Sequence, residues 1–93
     1  MSIELIYFEG CPNVGAARGN LRSALDMLGL AHEWTEWDLE APEAPDRVRG
    51  YGSPTVLVNG LDVTGAAEGP AGLACSAAGA PQVESIRAAL NAG

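Results

Sequence analysis

Residues 3–13, Ile-Glu-Leu-Ile-Tyr-Phe-Glu-Gly-Cys-Pro-Asn, limit how the chain can begin. The β-branched and aromatic run reads as a buried strand, and Glu9-Gly10 ends it. Cys11 then stands where the next helix is expected to begin, with Pro12 in its first turn, where a missing N–H costs nothing. A thiol at that point faces unpaired backbone N–H groups and the positive end of a helix dipole, both of which favour thiolate. A cysteine so placed serves as a nucleophile or a soft-metal ligand. Glu9 opposes thiolate formation and no Arg or Lys flanks Cys11, so the helix start carries the activation.

Past Cys11, apolar residues recur at Val14, Ala17, Leu21, Leu25 and Leu28, which is helical spacing, with Arg18, Arg22 and Asp26 on the opposite face. Gly29 ends that helix, and Leu30 is placed for the apolar contact that accompanies such an end. Gly15 and Gly19 weaken it by up to ~1 kcal/mol each relative to Ala, which close approach to a neighbouring strand or local looseness near Cys11 would explain. Residues 32–39 read as a second strand, with Trp34 and Trp37 on opposite faces, one entering the core and the other covering an edge. A short helix is expected from about Pro42 to Arg49, its acidic residues first and its arginines last, as the dipole prefers. Thr55–Val58 reads as a strand preceded by Pro54, Asn59-Gly60 as a two-residue hairpin turn, and Leu61–Thr64 as the returning strand. Residues 65–80 are Gly- and Ala-rich, contain Cys75 and receive no regular assignment. Pro81, Val83, Ile86 and Leu90 mark a final amphipathic helix.

With 93 residues and no internal repeat, one domain spanning 1–93 is expected. A β-α-β opening followed by a hairpin implies an α/β fold: a four-stranded mixed sheet in the order β-α-β-α-β-β-α, with helices on both faces. Net charge is −7, with five Arg and no Lys, so no basic patch exists to collect phosphates and nucleic acid is not an expected partner. The same balance makes the protein a poor host for anionic substrates unless one arginine is well placed. No apolar run is long enough to span a membrane, and no basic region followed by an apolar stretch opens the chain, so a cytoplasmic location is expected. Cys11 and Cys75 are the two cysteines, and they form no Cys-x-x-Cys pair because Val14 occupies the third position after Cys11. A bridge between them requires Cα atoms within about 7 Å.

The strand followed by Cys11-Pro12, together with Ser53-Pro54-Thr55-Val56 opening a later strand, resembles the thioredoxin fold across essentially the whole chain. The segments Tyr7–Asn13 and Gly50–Gly60 resemble a narrower group, small bacterial thioredoxin-like proteins labelled as alkylmercury-lyase-related. The resemblance implies that Pro54 is a cis proline lying against an active Cys11. It also implies organomercurial-lyase relatives that use two separated cysteines, as Cys11 and Cys75 are, and an aspartate where this chain has Val14. The lyase's proton donor is therefore missing from its expected place.

Three functions follow as expectations. The first is thiol–disulfide exchange through Cys11, with Pro54 beside it and the mixed disulfide resolved by Cys75 or by an external thiol such as glutathione; the partner is then a thiol or disulfide protein, and no cofactor is required. The second is binding or delivery of Hg(II) or another soft metal by Cys11 and Cys75, since soft thiolates select soft ions. The third is a non-catalytic module that binds a partner protein. His32 is expected at the surface, Trp34, Trp37 and Tyr51 in packing, and Asp62 as a solvated hairpin carboxylate. Two Cys and one His are too few for a closed zinc site.

Overall fold

The computed structural model describes residues 2–10, 12–63 and 81–92. β1 (Ile3–Tyr7), rich in branched and aromatic side chains, is an inner strand of a four-stranded mixed sheet ordered β2-β1-β3-β4, where β2 is Thr35–Asp38, β3 Thr55–Val58 and β4 Leu61–Asp62. β1 pairs in parallel with β2, placing Leu5 opposite Glu36 and Tyr7 opposite Asp38. It pairs antiparallel with β3, Leu5 opposite Val56. β3 turns back into β4 through Asn59 (φ +53°) and Gly60 (φ +82°), both left-handed, which is the two-residue hairpin that Asn-Gly favours. The outer strands are shorter than sequence patterning implies. β2 begins at Thr35 rather than His32, and β4 is described to Asp62, with Thr64 outside the described residues.

α1 (Val14–Met27) buries Val14, Ala17, Leu21 and Leu25 of the expected stripe and adds Ala24, while Leu28, the last expected position, is the half-buried C-cap. Its first bond runs from the Ala17 N–H to the Asn13 carbonyl (3.0 Å), so Asn13 is the N-cap and Pro12 lies in the turn before the helix, not in its first turn. At the other end Gly29 takes φ +67°; its N–H reaches the Asp26 carbonyl (3.1 Å) and the Leu30 N–H the Leu25 carbonyl (2.9 Å). This paired capping satisfies the last carbonyls. Leu30 itself stays exposed. Added Cβ atoms at Gly15 or Gly19 meet nothing within 4 Å, so close strand approach does not explain these glycines.

The second α-helix expected over 42–49 is absent. In its place is a single 3-10 turn, Asp46–Val48. Pro42 and Pro45 are the cause: neither can donate a backbone bond, and Pro45 is extended at ψ +152°. Arg49 supplies what the missing helical bonds would. Its guanidinium donates to the Leu39, Ala41 and Ala44 carbonyls at 3.2, 3.1 and 3.0 Å.

The core lies in two layers separated by the sheet. Leu5, Val56 and Val58 pack with Ala17, Leu21, Ala24 and Leu25 of α1 and with Ile86 and Leu90 of α2 (Val83–Ala92). Ile6 and Leu57, of opposite parity, pack with Leu39, Ala44 and Val48. Among the described residues both α-helices share one face, and the irregular 39–51 segment covers the other. Trp34 packs against the first layer and Trp37 against the second, so both tryptophans serve the core, where one was expected to cover an edge. Among the described residues no helix is long and apolar enough to cross a membrane.

Candidate functional site

The carboxyl end of β1, the start of α1 and the loop before β3 converge. Where Tyr7 hands over to Phe8, Glu9 and Gly10, a cleft of about 180 Å³ opens against Val14, Gly15 and Arg18 of α1. Ser53, fully buried, accepts a hydrogen bond from the Phe8 N–H at 3.3 Å, seating the loop before β3 against the end of β1. The Ser53–Pro54 peptide is cis. The Thr55 hydroxyl closes the same loop by donating to the Gly52 carbonyl at 2.7 Å.

The cleft's charges belong to one array. The Arg18 guanidinium lies 5.1 Å above the Tyr7 ring. Its Nε and Nη2 donate to Glu36 Oε2 and Oε1 at 3.0 and 2.9 Å, and Trp34 Nε1 donates to Glu36 Oε2 at 2.9 Å. The Arg18 hydrogen bonds hold the Glu36 carboxyl below the usual range, against the opposing effect of burial and with help from Trp34. Burial pushes the Tyr7 phenol up, and Asp38, Glu36 and Glu9 add to it while Arg18 opposes. Tyr7 is thus a neutral hydroxyl at physiological pH.

Comparison with protein-family models, curated proteins and solved structures gives no match.

Cys11 and Cys75 both lie outside the described residues, as does any contact between them; in sequence Cys11 follows Gly10, which lines the cleft. Pro54 is buried beside Ser53. Glu9 is exposed on the cleft's rim. His32 is an exposed surface residue, its Nε2 2.6 Å from Asp26 Oδ1. Tyr51 packs against the smaller layer. Asp62 lines a groove with Ala88, Ala89 and Ala92 of α2, away from the cleft. Among the described residues no group of three His, Cys, Asp or Glu is placed to hold a metal ion.

Sequence reading passed over Tyr7, Arg18 and Glu36. Helical spacing places Arg18, with Arg22 and Asp26, on the face opposite the apolar stripe. The signal lay in its spacing: three and four residues after Gly15 and Val14, it sits above the helix's first turn.

Proposed function

We propose that the protein is a thioredoxin-like thiol protein that carries out thiol–disulfide exchange through Cys11. The observation that carries this reading is the convergence of Gly10, the α1 start and the buried Ser53-Pro54 loop at one end of the sheet, joined by the Phe8–Ser53 hydrogen bond. The strand order β2-β1-β3-β4, parallel between β1 and β2 and antiparallel elsewhere, supports a thioredoxin-like arrangement.

In this reading the Cys11 thiolate attacks one sulfur of a disulfide. A new S–S bond forms, the old one breaks, and its electron pair leaves on the second sulfur, which takes a proton from water. With Val14 where a second cysteine would stand, resolution takes one of two routes: the Cys75 thiolate attacks the Cys11 sulfur, forming a Cys11–Cys75 disulfide and expelling the substrate thiolate, or an external thiolate attacks the substrate sulfur, forming a disulfide with it and expelling the Cys11 thiolate.

The test is the rate at which reduced protein forms a mixed disulfide with 2-hydroxyethyl disulfide, followed by intact mass across pH. Wild type is expected to react at pH 7 faster than free cysteine, and Cys11→Ser to lose the adduct. If Cys75 resolves, Cys75→Ser accumulates it. Ordinary reactivity at Cys11 would return the protein to the class of binding modules. Retention of one Hg(II) by both thiols against excess glutathione would move it to metal handling.

A further inference from the structure

We infer that Glu36 sets the charge preference of the cleft. By clasping Arg18 it withdraws the cleft's cation, so the disulfide accepted is neutral or cationic and not an anionic one such as oxidised glutathione. The inference rests on the thiol-exchange reading above and names its substrate class.

Arg18 is the single cationic side chain lining the cleft. A free guanidinium there would present the two-point fork that clasps a carboxylate. That fork is spent on Glu36, through Nε at 3.0 Å and Nη2 at 2.9 Å. Glu36 is in turn fixed on β2 opposite Leu5 and anchored by the Trp34 indole at 2.9 Å, so the clasp is held from the sheet as well as from the helix. The Tyr7 ring lies beneath the guanidinium. The pair cancels, leaving Glu9 on the rim and Asp38 at the strand end opposite Tyr7.

No other arginine lines the cleft. Arg47, Arg49 and Arg87 are paired with Glu4, Asp46 and Glu84, and Arg22, whose charge also acts on Glu36, lies over the Trp34 ring outside the cleft. On a chain of net charge −7, an approaching anion meets a negative field and a cation that is already held. A cation is drawn in.

The experiment measures mixed-disulfide formation by reduced protein with cystamine, 2-hydroxyethyl disulfide and oxidised glutathione, each rate divided by that of a free cysteine with the same reagent. At about 10 mM salt the expected order is cystamine, then the neutral disulfide, then glutathione, with a spread on the order of tenfold. The spread should shrink at about 1 M salt, where the screening length falls to roughly 3 Å. Glu36→Gln frees Arg18, and the glutathione-to-cystamine ratio is expected to rise severalfold. Glu9→Gln removes the same charge with the clasp intact and should move the ratio less.

Glutathione equal to or faster than cystamine in the wild type at low salt overturns the inference, whether or not the variant folds. So does a Glu36→Gln shift no larger than that of Glu9→Gln. If none of the three reagents outpaces its reaction with free cysteine, the thiol-exchange reading itself falls.

Discussion

Glu4 stands in the middle of an apolar strand, and its side chain is only 7% exposed. A carboxylate there is tolerated because its oxygens are occupied. Trp37 Nε1 donates to Oε2 at 2.7 Å and Arg47 Nη1 to Oε1 at 3.1 Å, with Arg47 Nη2 closing the fork on Oε2. The Arg47 hydrogen bonds hold its carboxyl below the ordinary glutamate value of 4.5; burial opposes them, and the Trp37 bond and the Arg47 charge reinforce them. A folded-state value below the unfolded one means that the contribution is fully present above pH 4.5 and is lost as pH falls from there through the lower folded value. Glu4→Gln is therefore expected to lose about 1–3 kcal/mol at neutral pH and to show a flatter acid limb in urea unfolding below pH 4.5 than the wild type. Parallel acid limbs for the two proteins would contradict this account. The sequence shows Glu4 as an interruption in a strand. Its partners, 33 and 43 residues away, are visible only in the fold.

The two glycines of α1 and its end illustrate how an element uses the same residue in opposite ways. Gly19 lies inside the helix, where an added Cβ meets nothing within 4 Å. Gly19→Ala is expected to stabilise by up to about 1 kcal/mol through helix propensity and a less free unfolded chain. Gly29 has equal room, yet its φ of +67° belongs to the capping turn. Gly29→Ala is expected to destabilise by about 1–2 kcal/mol. Thermal unfolding of the two variants should give shifts of opposite sign, and shifts of the same sign would mean that free space and not backbone conformation governs both. Gly29 was readable in the sequence because it follows the last apolar position of the helix. The 3-10 turn was not, since the charge order of 42–49 matches a helix dipole while Pro42 and Pro45 withhold the bonds a helix needs. The carbonyls left over are satisfied by Arg49, a solution no local pattern announces.

Across the molecule the two apolar layers share their central strands: Leu5 and Val56 face one layer, Ile6 and Leu57 the other. Neither layer can lose its sheet without exposing the other, so unfolding should be a single cooperative step. Trp34 reports on the helical layer and Trp37 on the layer under the 39–51 segment. Fluorescence of Trp37→Phe and Trp34→Phe proteins, each followed in urea beside circular dichroism, is expected to give for each variant one midpoint common to both signals. Leu21→Ala, which empties a fully buried position, should lower stability by about 2–5 kcal/mol as read by either tryptophan. A shift seen by Trp34 alone would mean that the layers unfold separately. What residue order settled for this chain is what short-range physics settles: a strand where branched and aromatic residues run together, a helix where they recur every three or four, and a hairpin where Asn59 and Gly60 accept left-handed backbone. Folding decided the rest, because each remaining feature depends on residues that meet across the sheet. Among the described residues both helices landed on one face, an irregular segment pinned by Arg49 took the other, and Arg18 turned from an apparent surface charge into the clasped cation of the cleft.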